Sequence, residues 1–414
     1  MPQSLAELIN AGLDKPALSL IAGIGKAGRS RKQGIYLVGG IVRDLLLGRP
    51  GRDIDITVEG SAVELAQSLS KSVKSRPVIH TRFGTATFKI NGYSIDLATC
   101  RGETYAYPGA LPRVFPADLK ADLKRRDFSV NAMAAGIEPA RFGELIDYYG
   151  GKKDLDKGLV RILHNRSFQD DATRIMRALR YEQRLGFRLE PGTERTLLRD
   201  LDMLDTISGD RLRRELMLWL GEQQPEKILR RAFGLGVLAK LHGALTWNTA
   251  LEKAFASARS LARSLSLAHL YFALLIYCLE DRQLGQLLKR LNMTGGELYK
   301  SAMQTLALKS ELDGLNKAGL KPSEIYFLLS PYSLTAVRAN MLLAAPVAGK
   351  NLGLYLDKLR LVRASLNGKD LEAMGIPPGR RMGSLLRSLL AARLDGKVRS
   401  RRDEIRLASH LKKG

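Results

Sequence analysis

The sequence predicts an α+β protein, a small mixed-sheet head followed by an all-helical remainder. Two observations carry this. The strand-like runs "IYLV", "DIDITV", "TATFKI" and "YSIDLA" all fall within residues 35–137. From about residue 155 onward, amphipathic stretches at helical spacing follow one another to the end of the sequence. A chain of 414 residues, 45% of them apolar, is also too long for a single core.

Taken in order, residues 1–34 read as a helical leader. Within it "GIGKAG", 23–28, matches the Gly-x-Gly-x-x-Gly pattern of dinucleotide-binding turns, but the strand follows the motif instead of preceding it, so we read a linker. The strand "IYLV" ends at Gly39-Gly40, and a helix then runs to Gly48 before Pro50. Asn91-Gly92, between "TATFKI" and "YSIDLA", suits a two-residue hairpin turn in which both residues take positive φ. Residues 102–118, "GETYAYPGALPRVFPAD", hold three prolines and two glycines with little periodicity and read as a loop of functional length. Further on, "LYFALLIYCL" at 270–279 is about half of what a bilayer span needs and reads as a buried helix.

Composition narrows the function. The chain carries 66 Lys and Arg against 42 Asp and Glu, a formal charge of +24. A polyphosphate partner releases counterions on meeting such a surface, so nucleic acid is the expected partner; the alternative is a basic protein that is merely soluble. Cys100 and Cys278 stand far apart with no nearby His cluster, which argues against a disulfide framework and a zinc site and for a reducing, cytoplasmic setting. Glu7 and Asp14 in the first 30 residues do not fit a secretory leader, and no membrane partner is expected.

Three stretches carry chemistry. In "LVGGIVRDLLLGRPGRDIDI", residues 37–56, Asp53 and Asp55 lie two apart on a strand and project from one face. Two such carboxylates repel unless a cation sits between them, and Mg²⁺ prefers carboxylate and phosphate oxygens; a solvated strand edge is the other reading. Gly39-Gly40 at a helix start leaves backbone N–H groups open to a phosphate, and Arg43 adds a donor one turn on; close packing is the alternative there. In "LKRRDFSVNAMA", 123–134, Arg126 and Asp127 suit a sugar or phosphate, or else a salt-bridged helix start. In "SFQDDATRIMRALRYEQRLGF", 167–187, read as one helix, Asp171 and Arg174 share a face at i, i+3. They form an ordinary ion pair, or they accept from and donate to the edge of cytosine or adenine, whose donor and acceptor order differs from that of uracil and guanine. Arg177 and Arg180 continue along the same helix.

Together, in this order and spacing, these stretches resemble the motifs of class II CCA-adding tRNA nucleotidyltransferases and bacterial poly(A) polymerases, within the DNA polymerase beta superfamily. "SGDRLRREL" at 208–216 resembles the helix that follows in that family. The resemblance covers roughly residues 35–190. It implies a nucleotidyltransferase head over 35–150 and a helical neck with a base-reading helix over 151–225. A helical body over 226–330 and a basic, RNA-binding helical tail over 331–414 follow. It makes Asp53 and Asp55 the catalytic ligands of Mg²⁺, and Gly39, Gly40 and Arg43 the triphosphate contacts. It puts Arg126 and Asp127 at the ribose, Asp171 and Arg174 at the base edge, and Arg177 and Arg180 among the nucleotide-binding arginines. Asp96, on the neighbouring hairpin strand, is a candidate third carboxylate outside this set.

The implied activity is addition of C and/or A from CTP and ATP to the tRNA 3′ end, with pyrophosphate released. Asp170-Asp171 stands where the family usually has Glu-Asp, and Asp210 where Glu is commoner. "NAMAAGI" lacks the paired tyrosines of the poly(A) polymerase branch, which favours tRNA. "PGALP" in the 102–118 loop differs from the form in many complete CCA-adding enzymes. Complete CCA addition, CC or A addition alone, poly(A) synthesis and a non-catalytic RNA-binding protein on the same scaffold are the alternatives this leaves.

Overall fold

Ser4 and Glu7 form a capping box that starts α1 (Leu5–Gly12), and the Asp14 carboxylate caps α2 (Lys15–Ser30) by accepting from the Ala17 N–H at 3.0 Å. "GIGKAG" lies inside α2, so the linker reading is corrected: the segment is helix. Two of its three glycines, Gly25 and Gly28, serve close packing. A Cβ on Gly25 would stand 2.1 Å from the Ile137 carbonyl oxygen, and one on Gly28 would stand 1.9 Å from Ile35 Cδ1.

The computed structural model describes residues 4–69, 76–81, 84–260 and 266–413. The chain divides into two compact units, Met1–Ile207 and Ser208–Gly414. The segment 151–225, expected as one neck, straddles that division.

In the first unit, β1 (Ile35–Val38) leads through the Gly39-Gly40 turn into α3 (Gly40–Leu46), and β2 (Asp53–Val58) returns alongside. After α4 (Ala62–Leu69) come β3 (Val78–His80), β4 (Thr85–Ile90) and β5 (Tyr93–Thr99). The hairpin turn between β4 and β5 has φ of 47° at Asn91 and 79° at Gly92, as the Asn-Gly pair predicts. With β8 (Ala134–Gly136) and β9 (Leu145–Ile146), these strands make a seven-stranded sheet in the order β3-β4-β5-β2-β1-β8-β9. β2 and β5 pair in parallel, which sets Ser94 opposite Asp53 and Asp96 opposite Asp55; the other pairings are antiparallel.

The segment 102–118, expected as a loop, is mostly a hairpin. β6 (Arg101–Thr104) pairs antiparallel with β7 (Arg113–Pro116). Three prolines hid the strand pattern, yet Gly102 admits the Phe115 ring over its backbone, where a Cβ would stand 2.4 Å from Phe115 Cζ. α5 (Leu119–Lys124) then carries the chain to the buried turn Ser129–Asn131, and α6 (Gly151–Asp156) follows the sheet.

The second unit is helical throughout its described residues, from Gly209–Leu220 to Arg401–Lys413. One core gathers Leu308, Leu329, Val337 and Leu352, and another joins Leu371 and Leu389 to Ala408. Pro377-Pro378-Gly379 leads into the basic helix Arg380–Leu394. The apolar run at 270–279 is helix Leu267–Leu275 and a following 3₁₀ turn, and it is largely buried as expected. Among the described residues no helix is long and apolar enough to cross a membrane.

The α2 contacts make a test of this packing. Gly25→Ala is expected to lower the stability of the first unit by about 2 kcal/mol, because a backbone carbonyl must give way, and urea unfolding measures it.

Candidate functional site

The alternation of β2 buries Ile54 and Ile56 and leaves Asp53 and Asp55 on the open face. Asp55 is crowded by protein on that face. Burial pushes its carboxyl above the ordinary range, Asp96 and Asp53 push the same way, and the Arg126 charge opposes them. Asp96 accepts a 2.5 Å hydrogen bond from the Thr87 hydroxyl on the next strand.

Arg126 stands between these acids and the Gly39 turn. The Asp122 carboxylate, 1% exposed, holds it in place, accepting from Arg126 Nη2 at 3.0 Å and from Arg125 Nη2 at 2.7 Å. Gly39 has φ of 75°, and a Cβ there would stand 2.7 Å from Arg126 Nη1. Both facts call for glycine, so close approach to a guanidinium explains the residue as well as the turn does.

Arg43, 5% exposed on α3, uses three of its five N–H donors within the protein. It donates to both Asp44 carboxylate oxygens at 2.8 and 2.9 Å and to Asn131 Oδ1 at 2.5 Å. Burial works against its charge, yet Asp44 and Tyr181 beside it hold its pKa above the ordinary value. Asn131 in turn donates to Asp127 Oδ1 at 3.0 Å, and Asp127 Oδ2 accepts from Arg177 Nη2 at 2.6 Å and Nε at 2.9 Å. Burial alone would raise the Asp127 carboxyl. The Arg177 charge and these hydrogen bonds outweigh it and hold the carboxyl below its usual range.

The expected single helix over 167–187 is broken. α7 (Ser167–Asp170) stops at Asp171, whose φ of −145° and ψ of 100° are extended, and α8 (Thr173–Leu185) starts anew. Asp171 and Arg174 therefore do not pair as i, i+3 neighbours on one helix. The Asp171 carboxylate accepts from the Thr173 N–H at 2.9 Å and hydroxyl at 2.6 Å, fixing the start of α8. Arg174 is buried, donating to Ser167 Oγ at 2.8 Å and to the Arg125 carbonyl at 2.6 Å. A cleft of about 500 Å³ reaches Arg174, lined also by Tyr105, Phe115, Arg125, His164 and Asp170. A second, of about 460 Å³, lies between Asp53 and the β4–β5 turn.

The structure thus draws Gly39, Arg43, Arg126, Asp127, Arg177 and Arg180 into one contact network beside Asp53 and Asp55, with Gly40 one residue along the turn. The sequence reading missed Asp44, Asp122, Asn131 and Tyr181. Asp122 had a signal, an acid four residues before Arg126 on a short helix, whereas Asn131 had none.

The model of the poly A polymerase head domain matches residues 35–161. The chain is 34% identical, over 99% of its length, to an A-adding tRNA nucleotidyltransferase of Geobacter sulfurreducens. A solved CCA-adding enzyme in an apo form matches with a TM-score of 0.84 at 30% identity, covering 99% of both chains. The chain belongs to the class II CCA-adding nucleotidyltransferase family. A Thermotoga maritima CCA-adding enzyme complexed with tRNA also matches, with a TM-score of 0.80 at 29% identity over 99% of both chains. This family member spans about half the length of the curated relatives it matches, 48% and 44% of the first two.

Asp122 yields a test that needs no substrate. Asp122→Asn is expected to cost about 3 kcal/mol at neutral pH, since two guanidiniums lose a buried counter-charge. Burial opposes the Asp122 charge, but Arg126 and Arg125 hold its carboxyl below the free value of 3.8. Its stabilisation is therefore complete at neutral pH and fades as pH falls below about 5. Urea unfolding from pH 7 to pH 3.5 should show wild type losing more stability on acidification than the variant.

Proposed function

We propose that the chain transfers C and/or A from CTP and ATP to the 3′ end of tRNA with Mg²⁺. The observation that carries this is the crowding of Asp53, Asp55 and Asp96 beside the guanidinium-lined Gly39 turn, in a member of this family. Neighbouring carboxylates that raise the proton affinity of Asp55 fit a divalent cation beside it. Mg²⁺ is commonly held by one or two carboxylates together with substrate phosphates. Asp53 and Asp55 would hold Mg²⁺, which when bound lowers the pKa of the attacking hydroxyl and stabilises the departing pyrophosphate.

The chain's own residues do the rest. Gly39, Gly40, Arg43 and Arg126 cradle the triphosphate while the terminal 3′-hydroxyl of the RNA attacks the α-phosphorus and the bond to the bridging oxygen breaks. Asp127 and Arg126 meet the ribose, and Asp171 with Arg174 reads the base edge, accepting C and A over U and G. Catalysis is positioning and electrostatics, with no covalent enzyme intermediate. The +24 charge supports RNA as the acceptor, and two free cysteines support a reducing, cytoplasmic setting.

A narrower reading, addition of the terminal A alone, is compatible with the likeness to an A-adding enzyme over 99% of the chain. One assay separates them. Labelled tRNAs ending at the discriminator base, at C and at CC receive CTP, ATP or both with Mg²⁺, and product length is read on a sequencing gel. Three residues added to the shortest tRNA only with both nucleotides means complete CCA addition. Addition of A to the CC-ended tRNA alone means the narrower activity, and no addition to any substrate refutes both.

Two variants test the residue roles in the same assay. Asp53→Ala should lower incorporation by roughly 10³-fold or more. Arg174→Ala should relax the choice among the four nucleotides more than it raises KM, and unchanged selectivity would remove Arg174 from the base edge.

A further inference from the structure

Tyr181, on α8, has no part in the proposed handling of the nucleotide, yet three of the arginines converge on its ring. The guanidinium carbons of Arg43, Arg180 and Arg177 lie 5.2, 5.4 and 5.6 Å from its centroid. They come from two separate elements, Arg43 from α3 and the others from α8 itself. Phe128, fully buried, meets the ring edge-on, with centroids 5.8 Å apart and planes at 77°, and so fixes its orientation. Arg177 Nη2 also approaches the Tyr181 hydroxyl at 3.5 Å, while Asp127 holds the same guanidinium.

Three cations round one point repel one another. Asp44 answers Arg43 and Asp127 answers Arg177, and the electron-rich ring supplies attraction to all three without adding a negative charge that would repel a phosphate. A carboxylate at position 181 would hold the arginines as well, but it would cancel the charge they present. The ring holds them and leaves their charge in place.

We propose that Tyr181 is a positioning residue for the triphosphate, its ring keeping Arg43 of α3 in register with Arg177 and Arg180 of α8. This rests on the nucleotide-site reading above. The chain of contacts Arg43–Asn131–Asp127–Arg177 closes through Tyr181 back to Arg43. Displacing the ring therefore loosens the arginines on both elements together. The consequence falls on the phosphates, which CTP and ATP share, and not on the base.

The test keeps the shape of the ring and changes its electrostatics. Position 181 is made Phe, 4-fluorophenylalanine and 3,4,5-trifluorophenylalanine in the full chain, with melting temperatures checked for equality. Binding of inorganic tripolyphosphate and of ATP is measured by calorimetry with Mg²⁺ and without RNA. Tyr181→Phe should bind both within about twofold of wild type, and the fluorine series should weaken both stepwise, reaching about fivefold, as a cation–π contact requires. In the primer assay, KM for CTP and for ATP should rise in parallel across the series while the choice between them stays unchanged. Equal binding across the fluorine series would overturn the role of Tyr181 while leaving the nucleotide site intact. Failure of wild type to bind ATP or tripolyphosphate would overturn the nucleotide reading and this proposal with it.

Discussion

The buried carboxylate of Asp127 ties the parts of this site together. It lies in the turn between α5 and the 3₁₀ segment Ser129–Asn131, accepts from Arg177 of α8, and receives Arg43 of α3 through Asn131. A buried ion pair stabilises a fold only modestly against an apolar substitute, but breaking it strands a charge at a cost of several kcal/mol. α8 therefore cannot shift from the 127–131 turn without loss, and the arginines it carries stay close to Arg43.

A second constraint is repulsion left unresolved. The parallel register of β2 and β5 brings Asp53, Asp55 and Asp96 to one face, where burial first and then the neighbouring carboxylates raise the Asp55 carboxyl. Opposite charge lies close by in Arg126, which acts on Asp55, and continues into Arg43 and Arg177. The site sets a group of carboxylates beside guanidiniums that are each held by an acid of their own. A metal-bound triphosphate, as proposed above, would satisfy both, since it would bring a cation to the acids and phosphates to the guanidiniums.

The sheet was legible because its signals are local. Alternation in "DIDITV" set the face of the aspartates, and Asn91-Gly92 set the hairpin that carries Asp96. The helical remainder was legible from periodicity. What failed depends on tertiary contacts. The break at Asp171 is a side chain competing for backbone donors, which leaves the helical pattern of "DDATRIMRALR" intact to the eye. "GIGKAG" reads as a linker because the strand follows the motif instead of preceding it, and only the Ile137 carbonyl and the Ile35 side chain show why Gly25 and Gly28 stand inside a helix. The β6–β7 hairpin was masked by its prolines. The candidate acids and arginines were nameable in advance, whereas Asp122, Asn131 and Tyr181 act through other residues, and no spacing announces that.

The decisive measurement is a crystal structure of the chain with Mn²⁺ and an ATP analogue that cannot release pyrophosphate, with the metal located by its anomalous signal. The account predicts a metal peak between the Asp53 and Asp55 carboxylates, phosphates against Gly39, Arg43 and Arg126, and the adenine edge at Asp171 and Arg174. A metal peak away from those aspartates, or phosphates lodged in another cleft, would contradict it.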